Sequence, residues 1–203
     1  MSKRLLQRQN KLAERCQTLA EIVSRISPLY TNASITANQR HFIETIVGAA
    51  IWYLPAASDS WTGRISVAAV RSYHPDLGDA SPKLTADHEY PRKVSAAELL
   101  KKDWSTDADT DLLRLYAEKL GKYNYVTPYE NKLLVRYQKS STFRDPAAAY
   151  KEAGIELVTI SADELVKIKA RDRATIEVVL GRTAGQGSHT DPRPQDPHAG
   201  IPD

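Results

Sequence analysis

The chain has 203 residues with 28 Lys and Arg against 25 Asp and Glu, a formal net charge of +3 and one cysteine. That length is enough for an apolar core without staples, and a single cysteine excludes both a disulfide framework and a thiolate zinc cluster. The charge permits a polyanionic partner without requiring one.

The basic start, MSKRLLQRQNKLAERC, interrupts its leucines with charge, unlike the unbroken apolar run of a secretion signal. IVGAAIWYLPAA stops at Pro55, short of the ~20 apolar residues a bilayer span needs, so no membrane contact and a cytoplasmic location are expected. Leu5, Leu12, Leu19 and Ile26 recur every seven residues with Cys16 and Val23 beside them, which predicts an amphipathic helix over residues 3 to 27, ended by Pro28. Its seam packs on the rest of the chain or, in the competing reading, supports self-association.

Thr36 and Gln39 form a capping box before FIETIVGAAIWYL, whose apolar residues on most sides predict a central core helix. RISVAAVRSY reads as a short helix, and HPDLGDASPK as irregular chain. After LTADHEYPRKV, Ser95 and Glu98 predict a helix to about Lys102; TDADTDLLRLYAEKLG follows, with Gly121 as a left-handed terminator. KYNYVT is an expected strand, and Thr127, Pro128 and Glu130 start a helix that carries Asn131 in its first turn. DPAAAYKEAG repeats that pattern with Asp145 as cap and Gly154 at the end, IELVTI is a second expected strand, and Ser161 with Glu164 opens a last helix toward Leu180. The domain reading is therefore a helical region over 1–60, a core over 61–181, and a tail over 182–203 too poor in apolar residues to repay ordering.

DHEYP and YNYVTPYEN together resemble the HNH endonucleases, in which two strands and a helix fold around one divalent cation. The resemblance covers about residues 84 to 139. It implies a ββα-metal core; with the helices read between its two strands and the N-terminal helical region, the expected fold is α+β and predominantly helical. It implies His88 as the base that activates water, Asp87 and Asn131 as ligands of Mg²⁺ or Mn²⁺, and Asn124 as the residue that orients His88 or braces the loop around it. The chain departs from many members in lacking cysteine pairs for structural zinc, in placing Asn131 where histidine is common, and in the long connection from His88 to Asn124.

The chemistry is coherent without the family name. Phosphodiester hydrolysis needs a nucleophile made from water and neutralisation of developing charge; a neutral histidine serves the first, and carboxylate and amide oxygens suit a hard cation for the second. Regular alternation along a strand, however, sends Asp87 and His88 to opposite faces. Arg92 and Lys93, then Lys132, Arg136 and Lys139, are expected to receive a DNA backbone, RNA being the other polyanion of that kind, although the last three at helical spacing equally describe a solvated face. Tyr90, Tyr123, Tyr125, Tyr129 and Tyr137 read as core and rim packing ahead of base stacking. His41 reads as a satisfied core or flank residue and His74 as a weaker accessory ligand, while His189 and His198 receive no role. Two other functions compete: a non-catalytic nucleic-acid-binding protein on the same scaffold, and a helical interaction module.

Overall fold

The computed structural model describes residues 3–57, 59–104, 108–139 and 142–184; the expected tail beyond 184, with His189 and His198, lies outside them. Helix α1 (Lys3–Thr31) carries Pro28 inside its last turn instead of ending there. Proline there forfeits one rung of the ladder, the bond its missing N–H would make to the Ser24 carbonyl. Tyr30, 3% exposed and donating to Glu44 Oε1 at 2.7 Å, ties down the turn beyond it.

Helix α2 (Ala37–Trp52) begins at the Thr36/Gln39 capping box. Only Val47, Gly48 and Ile51 of this helix are buried, while Phe42, Ile46 and Trp52 are about half exposed or more, so α2 is a wall and not the core. The core of this region forms where Leu12, Cys16, Leu19 and Val23 of α1 meet Leu99 and Leu100 of α4 (Arg92–Lys101) and Leu112 of α5 (Ala108–Leu115). The α1 seam is thus covered by the chain itself, and burial lifts the Cys16 thiol to about 11. This core runs across residue 60, because the segment from Ala96 to Leu120 supplies six of its fifteen buried residues among those described.

Helix α4 starts at Arg92, a turn earlier than the Ser95 cap predicts, with Pro91 as its cap residue. α5 passes into a wide π turn over Tyr116–Leu120. Gly121 then has φ −89°, so it is no left-handed terminator; a Cβ there would sit 2.9 Å from both the Tyr116 carbonyl oxygen and its ring, and that clash is what demands glycine.

The strands are β1 (Trp61–Ser66), β2 (Thr85–His88), β3 (Tyr123–Val126) and β4 (Leu157–Thr159), in the order β2-β3-β1-β4. The fold is mixed α+β. β2 and β4 run antiparallel to β3 and β1, and β1 lies parallel to β3. β1 replaces the first three residues of the expected RISVAAVRSY helix; Ser66 ends the strand and caps the short α3 (Val67–Ser72) by accepting from the Ala69 amide. Two neighbouring strands outbid local helix propensity here, as tertiary pairing commonly does.

α6 (Pro128–Leu134) starts at the reciprocal Thr127/Glu130 box, and α7 (Pro146–Glu152) at Asp145, with Gly154 at φ +68° beyond it. The single last helix is two, α8 (Ala162–Lys169) and α9 (Arg173–Ala184), separated at Arg171 with φ +63°. No helix among the described residues is long and apolar enough to cross a membrane.

Candidate functional site

The antiparallel register of β2 and β3 sets Asp87 opposite Asn124 and His88 opposite Tyr123. The capping box forces α6 to begin two residues after β3 ends, which brings Asn131 up beside β2. Asp87, His88 and Asn131 all line one cavity of about 550 Å³. Strand alternation does not keep the first two apart, because His88 is the last residue of β2.

Asp87 is 5% exposed. Gln138 Nε2 donates to its two oxygens at 3.1 and 3.0 Å, and the Tyr150 hydroxyl donates to Oδ2 at 2.5 Å. Burial raises the Asp87 pKa above the usual carboxylate value, against the pull of those two donors. Burial, and then the Asp87 charge, push the Tyr150 phenol well above its ordinary range, so it remains a donor.

His88 is held by aromatic neighbours, its ring centroid 5.1 Å from Trp52 and 6.2 Å from Tyr123. Its Nδ1 is buried without a hydrogen-bond partner, so packing and not a hydrogen bond fixes the ring. Burial, and secondarily the Arg92 charge, lower its pKa from the ordinary 6.5, which keeps the imidazole neutral at physiological pH.

Asn124 is fully buried and does not touch His88 by hydrogen bond. Its Oδ1 accepts from the Thr62 hydroxyl and its Nδ2 donates to Glu89 Oε1 at 3.2 Å, while Arg64 pairs with the same Glu89. Of the two expected roles, these contacts match bracing of the chain after His88. They also take Glu89 away from the cavity.

Of the five expected phosphate-binding cations, Arg92, Lys93 and Lys139 line the cavity. Lys132 and Arg136 are exposed elsewhere on the α6 segment. Arg92 lies 4.4 Å over the Trp52 ring, and Lys93 Nζ is 2.8 Å from His41 Nε2. The opposite wall is α2, which approaches so closely that a Cβ on Gly48 would stand 3.1 Å from the Arg92 carbonyl oxygen. His74 is buried away from the cavity, its Nδ1 accepting from the amides of Asp76 and Leu77, which makes it a loop anchor and not an accessory ligand.

Among the described residues no three His, Cys, Asp or Glu side chains gather as a metal cage. The oxygen donors of Asp87 and Asn131 nonetheless suit a hard cation, since a carboxylate offers about four lone-pair positions and the three bonds to Asp87 leave one.

Gln138, Tyr150 and Trp52 were not singled out by sequence reasoning. Gln138 lies four residues past the end of α6, so helical spacing from Asn131 does not place it. Tyr150 and Trp52 carry no signal either, because their positions depend on how α7 and α2 pack. No family model matches the chain, and no match is found among curated proteins or solved structures.

Proposed function

We propose that the protein is a metal-dependent endonuclease of HNH type that hydrolyses DNA phosphodiester bonds. The observation that carries this reading is the shared cavity: imidazole, carboxylate and carboxamide from β2 and α6 face the same space as Arg92, Lys93 and Lys139. His88, neutral through burial, accepts a proton from a cavity water, with Trp52 and Tyr123 fixing its ring. Gln138 and Tyr150 hold the Asp87 carboxylate in place. Asp87 and Asn131 would hold Mg²⁺ or Mn²⁺, which when bound neutralises charge on the reacting phosphate. The three cations position the DNA backbone without reading its bases.

The test is single-turnover cleavage of plasmid DNA with Mg²⁺ or Mn²⁺. Cleavage that disappears with chelator and in His88→Ala supports the reading; cleavage that persists in purified His88→Ala removes the proposed base.

One observation favours a second reading, a metal-free nucleic-acid-binding protein on the same scaffold. Both oxygens of Asp87 are already engaged by Gln138 and Tyr150. DNA binding that is indifferent to chelator, with no cleavage under any divalent ion, would establish it.

A further inference from the structure

Trp52 is 52% exposed, yet it lines the wall of the cavity that holds Asp87 and His88. Leaving half an indole in water forgoes much of the burial energy that normally places tryptophan inside. The ring is nonetheless fixed: it ends α2, Arg92 stacks on it at 4.4 Å, and His88 flanks it at 5.1 Å with the rings tilted by 51°. An aromatic surface both open and immobilised is suited to receive another flat π system, because it is ordered before the partner arrives. Arg92 joins this surface to the charged part of the site. A guanidinium lying over an aromatic ring satisfies none of its N–H donors there, so they remain to meet a phosphate. Arg92 also opens α4, whose cap residue Pro91 supplies no side-chain bond to the first-turn amides.

We infer that Trp52 is a base-stacking platform, so that the site takes nucleic acid with an unpaired base beside the bound phosphate, single-stranded or locally opened, in preference to intact duplex. The inference rests on the proposed reading of the cavity as a nucleic-acid site and adds a substrate class to it. Stacking on an aromatic side chain tolerates any base, whereas a paired base inside a duplex exposes no face until it is unstacked. The cavity of about 550 Å³ has the scale of sites that enclose one ligand of nucleotide size.

The experiment measures binding by fluorescence anisotropy of a labelled sixteen-nucleotide oligo(dT) and of a blunt duplex of equal length. It uses the full chain with His88 intact, in chelator, so that neither probe is cut. Single-strand binding at least several-fold tighter than duplex binding is expected. Adding Trp52→Ala should weaken the single-strand complex by about 5- to 150-fold, the usual worth of one stacked base, and Trp52→Phe should restore most of it. Quenching of tryptophan fluorescence by oligo(dT), lost in Trp52→Phe while Trp61 and Trp104 remain, gives a second readout that a folding defect would not mimic. Equal loss on both probes, or no loss on the single strand, overturns the stacking role while leaving the nuclease reading intact. Failure of both probes to bind overturns the stacking role together with the nucleic-acid reading beneath it.

Discussion

Two of the apolar clusters among the described residues differ in the polar groups buried beside them. The helical region around α1, α4 and α5 buries leucine, valine, alanine and a thiol held in its neutral form. Around β2, β3 and α7 an apolar cluster of Val126, Leu134, Ala149 and Ile155 is joined by Asp87, Asn124 and Glu130, each 7% exposed or less and wired to Tyr150, Gln138, Thr62, Glu89 and Ser66. Apolar burial contributes stability through area removed from water. The polar groups of the second region add little net stability, since each gives up hydration for the bond it makes, but they fix side chains in direction. The two regions meet at the cavity, where α2 and α4 of the first face β2 of the second.

The sharpest separation of the two comes from His88→Ala. Loss of a general base costs about 10²- to 10⁴-fold in rate, measured by single-turnover cleavage, while the thermal midpoint should move little. Leu99→Ala should do the reverse. Leu99 is fully buried, so truncation destabilises the fold by about 2–5 kcal/mol, read from the denaturant midpoint, with the chemical step preserved in whatever fraction remains folded.

Tyr150→Phe lies between them. It leaves Asp87 with Gln138 as its remaining donor, an unsatisfied-acceptor cost of about 1–3 kcal/mol, and it should slow cleavage as the carboxylate loses its anchor. Should Tyr150→Phe change stability without touching rate, the buried polar groups would be structural only.

The smallest effect is on pH dependence. A base works when deprotonated, and His88 is held below 6.5, so the rate should rise with pH through a midpoint lying below 6.5. Arg92→Ala removes the lesser of the two causes of that depression, so the acidic limb should move up toward 6.5, as a pH–rate profile would report.

What the sequence disclosed follows the same division. Caps are local chemistry, and those at Thr36, Thr127, Asp145 and Ser161 stand where their residues required. β3 was legible because β-branched and aromatic residues sit between turn signals, whereas β2, with Thr85 as its one β-branched residue, was legible only through the resemblance carried by DHEYP; with α6 they brought Asp87, His88 and Asn131 within one local argument. β1 was not legible: Gly63, Arg64 and Ser66 dilute its pattern, and it exists because β3 and β4 flank it. For the same reason α2 looked like a core helix. Its composition is apolar, but which face is covered depends on helices far along the chain. Gln138, Tyr150 and Trp52 enter the site by packing of that long-range kind.

The near-contact of Gly48 with the backbone at Arg92 gives the cavity a gauge. The spacing between α2 and the start of α4 is determined by an absent methyl group, so Gly48→Ala would act as a shim: it spreads the two helices by tenths of an ångström and carries Trp52 and Arg92 apart while leaving the floor of the cleft alone. The aperture and the floor of the cleft are therefore separately adjustable in this architecture, one through a position that bears no side chain and the other through the strand beneath it.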